Sequence, residues 1–235
     1  MVAPSGTLTF LFTDIEGSTR RWETDPKAMQ SALAAHDGVL RSAIEAHDGW
    51  LFKHTGDGVC AAFRSARAAI DAAVQAQRDL ALPVRMGVVT GEAELRGDDY
   101  FGSTLNRAAR VMAAGHGGQI LVGNSAAALV SGEGLIDLGE RRLRDLSGAE
   151  HLYQVRAEGL RVDFPALRTA DAVPGNLPVM ATSFVGREVE VRQLCDLVRA
   201  HRMHTHRRGR GRQDPPHRAG RSRVVRRVHR WCLAS

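Results

Sequence analysis

The sequence predicts an α+β fold, a ferredoxin-like sandwich with a βαββαβ core in which helices cover one face of a mainly antiparallel sheet. Three observations lead to this prediction: an apolar strand opens the chain at 7–13, a hairpin follows at 50–63, and segments with helical periodicity separate the strands. The 235 residues are 43% hydrophobic and 25% charged, which suits a globular protein.

The first half of the chain supplies most of this core. The strand at 7–13 is rich in β-branched and aromatic residues and ends at Asp14. Asp25 and Pro26 are typical of a helix start, and the predicted helix runs to about residue 47. Two strands, 50–53 and 59–63, are joined by the turn 55–58, whose Asp-Gly pair favours a hairpin.

The core is completed by a helix and a strand, and further short elements follow. Ser65 is a candidate cap for a helix through residue 81, and a strand is predicted at 84–89. A third helix is predicted at 104–114, with short strands at 120–122, 136–138 and 152–155. We expect this first domain to span residues 5–156.

The composition changes after residue 156. Residues 157–182 mix Pro, Gly, Asp and Arg without a clear period and are predicted to be a linker, whereas 183–200 have the periodicity of one amphipathic helix. Residues 201–235 contain eleven arginines and one acidic residue, while the first 200 residues contain 21 basic and 25 acidic residues. The net charge of +6 therefore originates in a C-terminal tail that we expect to be disordered.

Several classes of protein are disfavoured by the sequence. The three cysteines, Cys60, Cys195 and Cys232, are too few and too scattered for a disulfide framework or a four-ligand zinc site. No apolar run approaches the roughly 20 residues that span a bilayer, and no secretory signal is evident. We therefore expect a reduced, cytoplasmic protein without a membrane partner.

Two carboxylates stand where neighbouring strands end. Asp14 follows the first strand and Asp57 lies in the hairpin turn, so both side chains can converge at one edge of the sheet. Oxygen ligands of this kind suit Mg²⁺ or Mn²⁺, with substrate phosphates completing the coordination. Taken alone, an Asp in an Asp-Gly turn is more often simple turn chemistry.

Two further segments carry polar groups suited to a nucleotide. Gly17, Ser18 and Thr19 form a bend whose backbone N–H groups can hold phosphate oxygens. Asn106 and Arg110 are one turn apart on the predicted third helix, and an amide beside a guanidinium can bind ribose and phosphate. For such a pair by itself, an exposed polar stripe is the commoner explanation.

Four blocks together resemble the catalytic domain of class III nucleotidyl cyclases over roughly residues 5–156. These blocks are F-T-D-I-E-G-S-T at 12–19, K-H-T-G-D-G at 53–58, R-M-G-V-V-T-G at 85–91 and Y-F-G-S-T-L-N-R-A-A-R at 100–110. The resemblance implies that Asp14, Ile15 and Asp57 hold two divalent ions, Mg²⁺ or Mn²⁺. It also implies that Lys53 and Asp99 read the purine, as the combination that selects adenine.

The remaining roles concern the sugar and the phosphates. The resemblance implies that Asn106 orients the ribose, that Arg110 stabilises the α-phosphate in the transition state, and that Gly17, Ser18 and Thr19 contact phosphate. Where the family has a late lysine for the terminal phosphates, this chain has Arg144, which keeps the charge and changes the geometry.

The activity implied is that of an adenylate cyclase, which converts ATP to 3′,5′-cyclic AMP and pyrophosphate. The family's head-to-tail dimer implies a homodimer with shared active sites. The alternative is a catalytically weak nucleotide-sensing module of a truncated transcriptional regulator. A guanylate cyclase is disfavoured by Lys53.

The segment 176–188 resembles the start of a P-loop ATPase module of the kind that follows cyclase domains in large bacterial regulators. The G-x-x-x-x-G-K-[ST] motif that should follow is absent. We hypothesise a frameshift near Met203, which leaves 183–200 as the remnant of the first ATPase helix and 201–235 out of frame. The rival interpretation is a nucleic-acid-binding arm, and nonspecific nucleic-acid contact by the arginines is expected.

Overall fold

The computed structural model describes residues 3–130 and 134–170. The predicted helix at 183–200, the arginine-rich tail at 201–235 and the end of the predicted linker lie outside the described residues.

The described residues form nine strands and five helices. The strands are β1 (Thr7–Ile15), β2 (Trp50–His54), β3 (Val59–Phe63), β4 (Val84–Glu92), β5 (Glu94–Arg96), β6 (Asp99–Phe101), β7 (Ile120–Gly123), β8 (Leu135–Arg142) and β9 (Ala149–Val155). The helices are α1 (Ser18–Thr24), α2 (Pro26–Ala46), α3 (Ala66–Asp79), α4 (Ser103–Ala114) and α5 (Asn124–Ala127).

Seven strands form one sheet in the order β2-β3-β1-β4-β7-β9-β8, and β5 pairs with β6 in a separate hairpin. The neighbours within β2-β3-β1-β4 are all antiparallel, whereas β4 and β7 are parallel. Read from β4, the first four strands have the order 4-1-3-2 of a ferredoxin-like βαββαβ core. The predicted fold class is confirmed.

The caps predicted for the two long helices are present. The Asp25 carboxylate accepts a hydrogen bond from the Ala28 N–H, and the Ser65 hydroxyl accepts one from the Ala68 N–H. Side-chain acceptors at this position satisfy N–H groups that have no partner inside the helix. They explain why α2 and α3 begin where they do.

Helices cover both faces of the sheet, and the prediction that they cover only one is wrong. Helices α2, α3 and α5 pack with Leu11, Val88 and their neighbours on one face. Helix α4 and the β5–β6 hairpin pack with Phe10, Val89 and others on the opposite face, which we call the α4 face. Strand β4 has apolar side chains on both faces of the sheet, so both faces have to be buried by other elements.

The compact body continues past the predicted boundary at residue 156. Residues 157–170, which we call the strap, were expected to be part of a linker but lie against the sheet and α4. The Gln154 side chain donates to the Val162 carbonyl at 2.6 Å, the Arg168 N–H donates to the Ala114 carbonyl at 2.9 Å, and Leu167 packs on the α4 face. Within the described residues, every helix is too short or too polar to cross a membrane.

Candidate active site

Strand β1 and the β2–β3 turn bring Asp14 and Asp57 together at one edge of the sheet. The Ile15 N–H donates to the Asp57 carbonyl at 2.9 Å, which joins the two backbones directly. Gly58 makes this approach sterically allowed, because a Cβ there would lie only 1.9 Å from the Thr13 carbonyl oxygen. The glycine thus has a packing role in addition to its role in the turn.

Each carboxylate is held by a second side chain. The Arg85 guanidinium, opposite Asp14 on β4, donates to Asp14 Oδ2 from Nε at 2.7 Å and from Nη2 at 2.6 Å. The Ser18 hydroxyl donates to Asp57 Oδ2 at 2.6 Å. Gly17 precedes Ser18 with φ of +72°, a left-handed conformation that starts α1 directly after β1 and turns Ser18 inward.

The pKa of the Asp14 carboxyl is raised above its ordinary value of 3.8. Burial is the largest cause, and the nearby Asp57 carboxylate acts in the same direction, while Arg85 opposes both. A bound cation would stabilise the ionised form of Asp14, because this carboxylate is partly buried and lies next to a second one.

The oxygen donors of this site suit a divalent ion whose remaining ligands come from a substrate. Among residues 3–130 and 134–170, no group of three or more His, Cys, Asp or Glu side chains could hold a metal by itself. The two carboxylates and the Ile15 carbonyl are hard oxygen donors, and Mg²⁺ is usually held by one or two carboxylates together with substrate phosphates.

Lys53 and Asp99 form a second group. The Lys53 ammonium on β2 makes a hydrogen-bonded ion pair with Asp99 Oδ2 at the start of β6, and the other Asp99 oxygen accepts from the Tyr100 N–H at 2.8 Å. The hydrogen bond that the Lys53 ammonium donates to Asp99 raises the pKa of Lys53. Half of the Lys53 side chain is exposed, so the pair is accessible to a ligand.

The third group lies on and beside α4. Ala108 and Val111 face the sheet, whereas Asn106 and Arg110 lie on the exposed side of the helix, one turn apart. The Arg110 guanidinium pairs with Asp145 at 3.1 Å. Arg144, the residue before Asp145, is exposed in the loop between β8 and β9.

The three groups stay separate within one chain. Across the described parts of the chain, no hydrogen bond or ion pair links the Asp14–Asp57 group to Lys53 and Asp99, or either of these to Arg110. Beside Asp57, a shallow cavity of about 640 Å³ is lined by Ser18, Thr19, Trp22 and Glu23 of α1 and by the turn residues 55–57. Ser18 and Thr19, two of the predicted phosphate-contacting residues, thus border open space next to Asp57.

Comparison with known proteins identifies the family. A family model described as the adenylate and guanylate cyclase catalytic domain matches residues 2–93. An uncharacterized protein of Mycobacterium tuberculosis is 38% identical over 198 residues, which cover 80% of this chain and 70% of that protein. This chain belongs to the adenylate and guanylate cyclase catalytic domain family.

Solved structures agree with the family assignment. An adenylate cyclase from Trypanosoma brucei, solved in its monomeric state, is 28% identical with a TM-score of 0.65, covering 71% of this chain and 95% of that one. A guanylate cyclase domain from Catenaria anguillulae, solved with GTP, has a TM-score of 0.58 at 19% identity and covers 64% of this chain and 96% of that one. This second likeness shows the fold alone.

Two residues that the sequence does not single out are direct partners of predicted site residues. Arg85 was quoted within a motif and given no role, yet it is the direct partner of Asp14. Asp145 was not singled out, yet it pairs with Arg110. Arg85 becomes identifiable only once the pairing register of β1 and β4 is known, because Asp14 and Arg85 are then cross-strand partners.

Proposed function

We propose that this chain is an adenylate cyclase, which forms the bond between the ribose 3′-oxygen and the α-phosphorus of ATP and releases pyrophosphate. The observation that carries the proposal is the convergence of Asp14 and Asp57 at one sheet edge, locked by the Ile15–Asp57 hydrogen bond and the close approach at Gly58. Such a pair of carboxylates beside an open cavity suits a nucleotide triphosphate that arrives with divalent ions.

The carboxylates of Asp14 and Asp57 and the Ile15 carbonyl would hold Mg²⁺ or Mn²⁺, two ions per site. When bound, these ions supply positive charge that lowers the pKa of the attacking hydroxyl and neutralises the leaving pyrophosphate. Arg85 binds Oδ2 of Asp14 and would share this carboxylate with a cation. Ser18 keeps the Asp57 carboxylate oriented.

Lys53 and Asp99 support adenine as the base. A lysine ammonium only donates hydrogen bonds, and an ionised aspartate only accepts them. Adenine presents an acceptor at N1 and a donor at N6, whereas guanine presents the reverse order, with N1–H as donor and O6 as acceptor. With Lys53 facing N1 and Asp99 facing the 6-position, the pair satisfies adenine and leaves guanine unsatisfied.

The exposed side of α4 supplies the groups for the sugar and the reacting phosphate. Asn106 would orient the ribose, and Arg110 would donate to the α-phosphate oxygens as they gain charge in the transition state. Arg144 would bind the terminal phosphates from the β8–β9 loop. The N–H groups of Gly17, Ser18 and Thr19 at the start of α1 would contact phosphate on the opposite side.

Within the described residues no hydrogen bond or ion pair joins the three groups, which is compatible with a site shared between two copies of the chain in a homodimer. In a head-to-tail dimer, the carboxylates of one copy would face Lys53, Asp99, Asn106 and Arg110 of the other. Mixing an Asp14→Ala chain with an Arg110→Ala chain, each inactive alone, should then restore one complete site per heterodimer. No recovery on mixing would contradict the shared site.

The activity is tested by incubating the purified full chain with ATP or GTP and Mn²⁺ and measuring cyclic nucleotide and pyrophosphate. We expect cyclic AMP formation that Asp57→Asn lowers by a factor of roughly a hundred or more, because the ion-binding carboxylate is lost. ATP binding without turnover by the wild-type chain would refute the cyclase proposal and favour a nucleotide-sensing module.

The base preference is tested separately. Lys53→Glu replaces a donor by an acceptor, and it should shift the ratio of kcat/KM values from ATP toward GTP. Lys53→Met, which removes the charge without adding an acceptor, is the matched control and should weaken ATP use without improving GTP use. An unchanged ATP preference in Lys53→Glu would show that this residue does not read the base.

A further inference from the structure

The strap is tied to the loop that follows the ion-binding carboxylate. The Arg168 guanidinium forms an ion pair with Glu16 Oε1, although the two residues are 152 positions apart in the chain. Glu16 stands two residues after Asp14 and directly after Ile15. Arg168 therefore contacts the side chain of the residue that directly follows Asp14 and Ile15, two of the residues proposed to bind the cations.

Glu16 is held at three points, of which the strap supplies one. Its N–H donates to the Pro83 carbonyl at 2.8 Å, and its Oε2 accepts from the Gly117 N–H at 2.8 Å. Arg168 occupies the other carboxylate oxygen and balances the charge. Without Arg168, a partly buried carboxylate close to the proposed ion site would keep only a single neutral partner.

The strap is itself fixed where it meets the end of α4. The Arg168 N–H donates to the Ala114 carbonyl at 2.9 Å, and the Ala170 N–H donates to the Arg142 carbonyl at 2.7 Å. Arg85, the partner of Asp14, donates from Nη1 to the adjacent Ala113 carbonyl at 3.5 Å. The last turn of α4 thus anchors both the strap and the arginine that holds Asp14.

We propose that Arg168 is a positioning residue for the ion-binding loop: through Glu16 it fixes the backbone at Asp14 and Ile15, so that the strap is part of the catalytic apparatus. This inference rests on the proposed function for its link to catalysis, whereas the physical tie between strap and loop does not. Arg168 touches neither carboxylate and acts only through Glu16.

The experiment uses the full chain and the variant Arg168→Met, which keeps much of the side-chain length and removes the charge. Hydrogen–deuterium exchange of the metal-free protein should show the amides of 15–18 exchanging roughly twofold or more faster, because the loop opens more often. Mn²⁺ binding, titrated with 3′-deoxy-ATP, which cannot cyclise, should weaken by about two- to fivefold, the range expected for one partly exposed ion pair.

Two further variants separate positioning from general damage. Arg168→Lys keeps the charge and should recover part of the Mn²⁺ affinity. Arg161→Met is the matched control, because the Arg161 guanidinium donates to the Asp163 carbonyl and lies over the Phe164 ring, both within the same strap. It should leave loop exchange and Mn²⁺ binding as in the wild type. In the cyclase assay, Arg168→Met should raise the half-saturating Mn²⁺ concentration and leave the KM for ATP at saturating Mn²⁺ unchanged.

The outcomes distinguish the two proposals. If loop exchange and Mn²⁺ binding in Arg168→Met equal those of the wild type, or if Arg161→Met changes them equally, the positioning role is overturned. If the wild type shows no cyclase activity while Arg168→Met still loosens the loop and weakens Mn²⁺ binding, the tie stands and the proposed function fails. A thermal melt of each variant checks that the fold is retained.

Discussion

Replacing Gly58 by alanine tests how tightly the two carboxylates are held together. A Cβ at this position would lie 1.9 Å from the Thr13 carbonyl oxygen and 3.1 Å from the Asp14 Cα. Reaching an ordinary contact of 3.4 Å requires the β2–β3 turn to move from β1 by about 1.5 Å, and the atoms in the way are backbone. The substitution must therefore displace Asp57 from Asp14.

Gly58→Ala should lower the stability of the fold moderately and the rate of the reaction strongly. Overpacking of this kind costs roughly 1–3 kcal/mol of stability. A displacement of about 1 Å in a reacting group can lower the rate by about a hundredfold. We therefore expect Gly58→Ala to remain folded with a lower melting temperature, and to lose most of its cyclic AMP formation at saturating Mn²⁺ and ATP.

Gly38→Ala is the matched control. Gly38 is exposed within α2 and a Cβ there would meet no atom within 4 Å, so alanine should stabilise the helix by up to about 1 kcal/mol and leave the activity unchanged. Thermal unfolding by circular dichroism and the cyclase assay measure both variants. Wild-type activity and melting temperature in Gly58→Ala would refute the close approach of β1 and the turn.

Three further predictions concern buried groups. The raised pKa of Asp14 means that ionising this carboxyl lowers the stability of the fold. The melting temperature of metal-free Asp14→Asn, relative to that of the wild type, should therefore increase as pH rises from 3.8 toward neutrality. The opposite trend would show that Arg85 outweighs burial. Burial raises the pKa of Cys60 to about 12, so mass spectrometry should find this thiol unmodified by iodoacetamide until the protein unfolds. Gln154→Leu leaves the buried Gln119 amide without its 2.7 Å partner and should cost roughly 1–3 kcal/mol in urea unfolding.

The elements that the sequence predicts well are those whose signals are local. The strand at 7–13, the hairpin at 50–63 and the helices capped by Asp25 and Ser65 depend on alternation, an Asp-Gly turn and a capping side chain. The structure contains all of them, with boundaries within a few residues. These elements form the ferredoxin-like core, so the fold class could be predicted.

The features missed depend on tertiary contacts. The sequence predicts a bend where the structure has helix α1, because only seven residues separate Gly17 from Asp25 and periodicity is weak over that length. The sequence analysis assigns no element to the β5–β6 hairpin, although Gly97 between two charged residues is a turn signal. No local pattern indicates that α4 covers the second face of the sheet.

In the candidate site, too, the residues with local signals could be predicted and the tertiary contacts could not. Asp14 and Asp57 could be placed at one edge from the strand ends alone, and Asn106 and Arg110 on one face from helical spacing. The pairing of Lys53 with Asp99 rests on strands β2 and β6, and β6 itself was not predicted. Arg168 could not be linked to Glu16, because nothing in the sequence indicates a contact between residues so far apart.

The strap also determines where the polypeptide can be shortened. Leu160 covers part of the core beneath α2 and α3, and Leu167 covers part of the core beneath α4. Truncation after residue 156 would remove both leucines and expose apolar surface, which favours aggregation and proteolysis. A minimal fragment for crystallisation should therefore extend to residue 170.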